Sequence, residues 1–179
     1  MTDKIQVNQT TIDLEKGDLI RQSTDAIVNA ANTQLAGGGG VDGAIHRAAG
    51  WDQLQAACRK IGGCPTGEAV ITPGFALKAR YIIHAVGPVY LANDDRSPAL
   101  LTSAYRRSLE VGAENDIKSI AFPAISTGVY GYPMREAAAI ALKTAYDFAT
   151  ENDRFELIRF VLFDSDAYDI FADELSKLD

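Results

Sequence analysis

Positive charge is scarce in this chain: 17 Lys and Arg stand against 24 Asp and Glu, giving a net charge of −7 and a pI of about 4.8. That balance excludes a protein that grips the DNA or RNA backbone without regard to sequence, though not one that takes a discrete nucleotide. Histidine and cysteine are scarcer still. His46, His84, Cys58 and Cys64 fall at no metal-ligand spacing, so neither a zinc site nor a disulfide framework is indicated, and free thiols and no cofactor are expected. No apolar run approaches the roughly 18 residues of a membrane span, and the N-terminus has no signal-peptide core, so the expected location is cytoplasmic with no membrane partner. Internal repeats and low-complexity tracts are missing. With 179 residues, the expectation is a single domain over 1–179.

What the chain does have is a pattern of short apolar runs alternating with helical periodicity. Strands are expected at 4–7, 11–15, 25–30, 69–72, 81–86, 119–122 and 157–163, and helices at 41–49, 51–61, 98–114, 133–152 and 166–178. Runs such as Ile27-Val28, Ile82-Ile83 and Phe160-Val161-Leu162-Phe163 are apolar on both faces, as in a sheet covered from both sides. The expected class is α/β, a three-layer α/β/α sandwich with Ser97 and Ser165 as helix N-caps and Pro133 in a first turn.

The most informative segment follows the third strand: Asn29-Ala30-Ala31-Asn32, then Gly37-Gly38-Gly39-Gly40, then Val41-Asp42-Gly43-Ala44-Ile45-His46. Four consecutive glycines lose much backbone entropy on ordering, which implies another group close to the main chain. No Lys or Arg lies between Arg21 and Arg47, so a phosphate here would be held by backbone amides and the positive end of a helix. The G-x-G-x-x-G spacing of Gly38, Gly40 and Gly43 is discounted: it lies too far beyond the strand and would put Asp42 among phosphates. A second loop, Ser126-Thr127-Gly128-Val129-Tyr130 before Pro133, repeats the logic without a cation before Arg135. Two such loops at strand ends can clamp a diphosphate.

Asp42 is the sole carboxylate of the glycine segment. An anion placed where phosphate is expected points to a sugar hydroxyl or a water as its partner, and to general-base work; the plainer role is a helix-start residue facing the dipole. Asn32 offers donor and acceptors to vicinal hydroxyls, while Asn29 is expected to tie loop backbone together. His46, four residues after Asp42 on the same helix face, could orient Asp42 or pack beneath the loop, with packing expected, and His84 is expected to be a satisfied core histidine. Asp18 could accept from an exocyclic amine, and Phe163 could offer its ring to a base.

Taken together, these runs, with Gly17-Asp18-Leu19, Cys64-Pro65-Thr66-Gly67, His84-Ala85-Val86-Gly87-Pro88 and Phe122-Pro123-Ala124-Ile125-Ser126-Thr127-Gly128, resemble the macrodomain family, specifically its MacroD-type hydrolase branch. The resemblance implies a mixed six- or seven-stranded sheet and ADP-ribose or its esters as ligand, with mono-ADP-ribosylated proteins as partners. Carried over by position, Asp18, Leu19 and Phe163 would receive adenine. Gly38, Gly39, Gly40 and Val41 with Ser126, Thr127, Gly128 and Val129 would wrap the diphosphate and distal ribose. Asn32 and Tyr130 would hold that ribose, and Asp42, with Asn32, would carry the catalysis. The implied reaction is hydrolysis of an ester on the distal ribose, and the rival is a non-catalytic reader of ADP-ribose.

Overall fold

Along each central strand, neighbouring residues enter different cores. In a computed structural model, which describes residues 2–178, Ala26 and Val28 face one apolar cluster and Ile27 faces the other. Ile83 and Ala85 likewise oppose Ile82. That alternation is the period of two dictated by the strand pleat, and it places helices on both sides. Each fully buried Ile contributes roughly 1.5–3 kcal/mol.

The elements are β1 (Lys4–Val7), β2 (Thr10–Lys16), β3 (Ala26–Ala30), α1 (Gly40–Ala49), α2 (Trp51–Ile61), β4 (Ala69–Pro73), β5 (Tyr81–Ala85), α3 (Ser97–Glu114), β6 (Ser119–Phe122), α4 (Met134–Glu151), β7 (Leu157–Leu162) and α5 (Ser165–Ser176). The seven strands form one sheet in the order β1-β2-β7-β6-β3-β5-β4. β2, β7, β6, β3 and β5 run parallel, with β1 and β4 antiparallel at the edges. Helices α1 and α2 cover one face, and α3, α4 and α5 the other. The expected three-layer sandwich with a mixed sheet is therefore the fold, with seven strands rather than six.

Local chemistry explains several boundaries. Gly50 ends α1 at φ +112° and Gly62 ends α2 at φ +94°, each sending its N–H to a carbonyl four residues back. Two expected caps are corrected. Ser97 is the first helical residue of α3, after Arg96, because Pro98, lacking an N–H, is tolerated anywhere in the first turn. The cap of α5 is Asp164, not Ser165: its Oδ1 accepts from the Ala167 N–H at 2.8 Å. Pro133 is the residue just before α4. Phe163 lies one residue beyond β7.

The parallel core has one consequence for the site. Five strands deliver their carboxyl ends to the same edge, so the segments after β2, β3, β5, β6 and β7 all meet there. Among the described residues no helix is long and apolar enough to cross a membrane.

Candidate functional site

A cleft of about 680 Å³ opens at that edge, between the segments that follow β3 and β6. Asn32, Gly38, Gly39, Gly40, Val41, Asp42, Ser126, Thr127, Gly128, Val129, Tyr130 and Phe163 all line it. Asp18 lines a second hollow of about 620 Å³ with Arg21, Gln22 and Arg159, and Phe163 borders both. Leu19 is buried in the short 3-10 turn Leu19–Arg21 and lines neither. The Phe163 ring, 86% exposed, forms the ridge between them.

The glycine run serves several needs. A Cβ on Gly37 would stand 2.5 Å from the Trp51 ring, so that position is closed by packing, and one on Gly43 would meet the Gly38 carbonyl oxygen at 2.5 Å. Gly40 adopts φ +57° as α1 begins, a conformation that penalises other residues. At Gly39 a Cβ would meet nothing within 4 Å. The space over it belongs to the cleft. Gly43 N–H reaches Gly39 O at 3.1 Å and Gly38 N–H reaches Asp42 Oδ2 at 2.8 Å. Among the described residues, the amides of Gly39, Gly40, Val41 and Asp42 have no internal acceptor. They are the free donors of a helix start. Val41 is exposed beside the cleft.

The second loop is tied from below. Tyr105 Oη, wholly buried, donates to Pro123 O at 3.2 Å and accepts the Ile125 N–H at 2.9 Å. Burial pushes the phenol pKa well above its ordinary value. Ser126 stands at φ +69° with a buried hydroxyl that has no partner. Its Oγ lies 2.2 Å from where a Cβ on Gly87 would be, so the glycine after β5 makes room for the serine after β6. Val129 at the loop tip is fully exposed, and Tyr130 O accepts the Tyr90 N–H at 2.8 Å.

The carboxylate of Asp42 departs most from the sequence reading, which gave it a ribose hydroxyl or water as partner. It is buried, and its partners lie inside the protein. Oδ1 accepts from Asn29 Nδ2 at 2.7 Å and lies 3.1 Å from His46 Nδ1, and Oδ2 takes the Gly38 N–H. His46 Nδ1 is also 3.0 Å from Asp42 O, and both neighbours are acceptors, so Nδ1 carries the proton. The ring sits 5.0 Å from Trp51, beneath the loop. Asn29, expected to tie loop backbone together, instead spans the Asp42 and His84 side chains. Asn32 does close backbone: its amide donates to Ala36 O at 2.8 Å and its oxygen accepts Ala36 N–H at 3.0 Å. One amide hydrogen and one lone pair remain for a ligand. Asp18 Oδ1 caps the 3-10 turn through the Ile20 N–H at 3.2 Å, which leaves Oδ2.

Several cleft residues carried no sequence assignment: Gly87, Pro123, Ile125, Met134 and Asp164. Gly87 had a readable signal, a glycine directly after a buried strand. Among the described residues, no three His, Cys, Asp or Glu side chains gather where they could hold a metal ion.

An α/β sandwich with two amide-rich loops at the carboxyl edge of a mixed sheet is a ligand-binding architecture of a defined kind. The Macro domain family model matches residues 28–141. A Macro domain-containing protein of Streptomyces coelicolor is 53% identical over 172 residues, covering 93% of this chain and 99% of that protein. One from Methanosarcina mazei is 47% identical over 98% of this chain and 93% of its own length. Among solved structures, the Oceanobacillus iheyensis macrodomain with ADP aligns at TM-score 0.94 and 47% identity, covering 98% of this chain and 95% of that one. The Trypanosoma brucei macrodomain in complex with ADP-ribose aligns at TM-score 0.85 and 43% identity, covering 90% and 68%. The chain belongs to the macrodomain family.

Proposed function

We propose that this chain binds ADP-ribose in the cleft and hydrolyses esters on its distal ribose, either O-acetyl-ADP-ribose or mono-ADP-ribose linked to a protein Asp or Glu. The observation that carries the reading is the meeting of unpartnered loop amides with a single buried carboxylate that retains an acceptor site. A carboxylate offers about four lone-pair sites. Asn29 and His46 occupy Oδ1 and Gly38 occupies one side of Oδ2, so the remaining site on Oδ2 can accept a water proton.

In this reading the diphosphate lies between Gly38, Gly39, Gly40 and Val41 on one side and Ser126, Thr127, Gly128 and Val129 on the other. The open space over Gly39 and the helix start supply amides rather than cations, in keeping with a cleft whose loops have no Lys or Arg. Adenine lies near Phe163, with its amine toward Asp18 Oδ2 and the Leu19 backbone alongside. Asn32 and Tyr130 hold the distal ribose. Asp42 takes a proton from water as the water oxygen adds to the ester, and that proton leaves with the departing oxygen. The products are a free ribose hydroxyl and a carboxylic acid. Free amides near the ester oxygen stabilise the charge that develops there.

One observation favours a second reading, a non-catalytic reader: Asn32 spends half of its hydrogen-bonding capacity on closing the loop, and the Asp42 carboxylate is engaged by Gly38, Asn29 and His46 inside the protein. Incubation of the purified protein with O-acetyl-ADP-ribose and with aspartyl- or glutamyl-ADP-ribosylated protein separates the two. Turnover of either ester supports the hydrolase; tight ADP-ribose binding with no turnover of either leaves the reader.

A further inference from the structure

His84 sits in the middle of β5, 1% exposed, and has no place in the cleft or in the proposed chemistry. The parallel register sets it directly beside Asn29 of β3, and the antiparallel pairing brings Thr72 of β4 near its other side. Nδ1 lies 3.1 Å from Asn29 Nδ2, and Nε2 lies 2.9 Å from Thr72 Oγ1. Asn29 Nδ2 donates to Asp42 Oδ1 at 2.7 Å, and Asp42 Oδ2 holds the Gly38 N–H at 2.8 Å. A continuous path therefore runs from the far edge of the sheet to the glycine loop.

Counting protons gives that path a direction. A carboxylate only accepts, so the Asn29 group turned toward Asp42 is the NH2; its oxygen in that place would set two acceptors 2.7 Å apart. The amide's second hydrogen then goes to His84 Nδ1, which must be bare, and the imidazole proton is on Nε2, donated to Thr72. Burial, reinforced by nearby His46, pushes the His84 pKa down to about 3, so the ring stays neutral. Among the described residues, Asn29 Oδ1 has no partner. Only Asp42 and His84 hold the amide in place.

We propose that His84, as its Nε2–H tautomer, is a positioning residue for Asp42: it locks the Asn29 amide in the donating orientation and so aims the remaining acceptor site of Asp42 Oδ2 into the cleft. The proposal rests on the reading of Asp42 as the proton acceptor.

Two substitutions separate the imidazole nitrogens. His84→Asn puts an acceptor oxygen near the Nδ1 position but falls short of Thr72; His84→Gln reaches Thr72 and offers nothing at Nδ1. His84→Asn is expected to keep kcat within about threefold and His84→Gln to lose about tenfold or more, the scale of a misplaced base. KM and the ADP-ribose Kd should move less than about threefold in both. A histidine that merely fills the core and satisfies Thr72 gives the opposite order. That order, equal kcat in the two variants, or a loss confined to KM overturns the proposal. Nitrogen NMR of the wild-type protein supplies a reading free of turnover and of variant folding: a bare Nδ1 and a protonated Nε2, unchanged from neutral pH to about pH 4.5. A proton on Nδ1 overturns the proposal whatever the variants do. If wild type binds ADP-ribose but hydrolyses neither ester, the hydrolase reading fails on its own. The Asn29 side-chain amide resonance then decides: displaced in His84→Gln and kept in His84→Asn supports the lock, and unmoved in both overturns it.

Discussion

Replacing Asp42 by alanine strands two donors at once, Asn29 Nδ2–H and Gly38 N–H, while His46 Nδ1–H keeps the backbone carbonyl of residue 42 at 3.0 Å. Asn29 is 0% exposed, so water cannot replace the lost carboxylate there, and a buried donor left without a partner costs about 1–3 kcal/mol. Gly38 is exposed and rehydrates at little cost, while removing an acid from the first turn of α1 adds about 0.3–1 kcal/mol. The sum is about 1–4 kcal/mol. In a domain of this size each kcal/mol lowers Tm by about 2–4 °C, and a fall of about 3–16 °C is expected by calorimetry near neutral pH. Hydrolysis should drop about 10²-fold or more, and ADP-ribose affinity by no more than about tenfold, since adenine and diphosphate contacts persist. Asp42→Asn separates the two roles. It keeps one accepting oxygen, so its stability should fall between wild type and Asp42→Ala while its activity matches the alanine variant. A Tm within about 2 °C of wild type would refute the anchoring role worked out from these contacts. Wild-type turnover in either variant would reduce Asp42 to a helix-start residue.

Three further outcomes are expected. Gly39→Val meets no protein atom within 4 Å at its Cβ and takes an extended φ of −94°; stability should therefore hold while ADP-ribose binding and turnover fall together, and unchanged calorimetric affinity would show that no ligand approaches this backbone. Asp18→Ala should weaken ADP-ribose binding by about 1–3 kcal/mol if Oδ2 accepts from the adenine amine; titration showing no loss would place the base elsewhere. The His84 pKa near 3 lies below the ordinary 6.5 of an exposed imidazole, so the unfolded chain binds the proton first on acidification. The resulting stability is complete above pH 6.5 and is lost as pH falls toward 3. That loss is about 2 kcal/mol at pH 5, and urea unfolding of wild type should show it while His84→Asn lacks that share; equal acid sensitivity in both would contradict it.

Element placement was legible because both periods are strong here. Ile27 and Ile82 alternate cleanly with Val28 and Ile83, and Gly50 and Gly62 stop two helices by backbone geometry alone. The cleft was legible for a related reason, since glycines and amides directly after buried strands must gather at one edge of a parallel sheet. Side-chain partnerships were not. That Asn29 would face His84 depends on the register between β3 and β5, a relation between segments 55 residues apart that no local pattern encodes. Asn32 was read as free for ligand because its acceptor, Ala36, becomes available only once the chain has turned. Asp164 was overlooked beside Ser165, since both residue types cap helices and only the backbone angle chooses between them.

Ser126 and Gly87 amount to a single heritable unit split across the chain. Ser126 Oγ and Ile125 Cγ2 together fill the volume that any side chain at 87 would claim, at 2.2 and 2.5 Å from where its Cβ would stand, so a lineage that gains a Cβ there must first reshape the loop residues that face it. The order of substitution is constrained, because a Cβ that arrives first at 87 stands only 2.2 Å from the serine oxygen in the floor of the cleft. Anyone transplanting the second loop onto another sandwich must therefore carry residue 87 with it, although 39 positions of sequence separate the two.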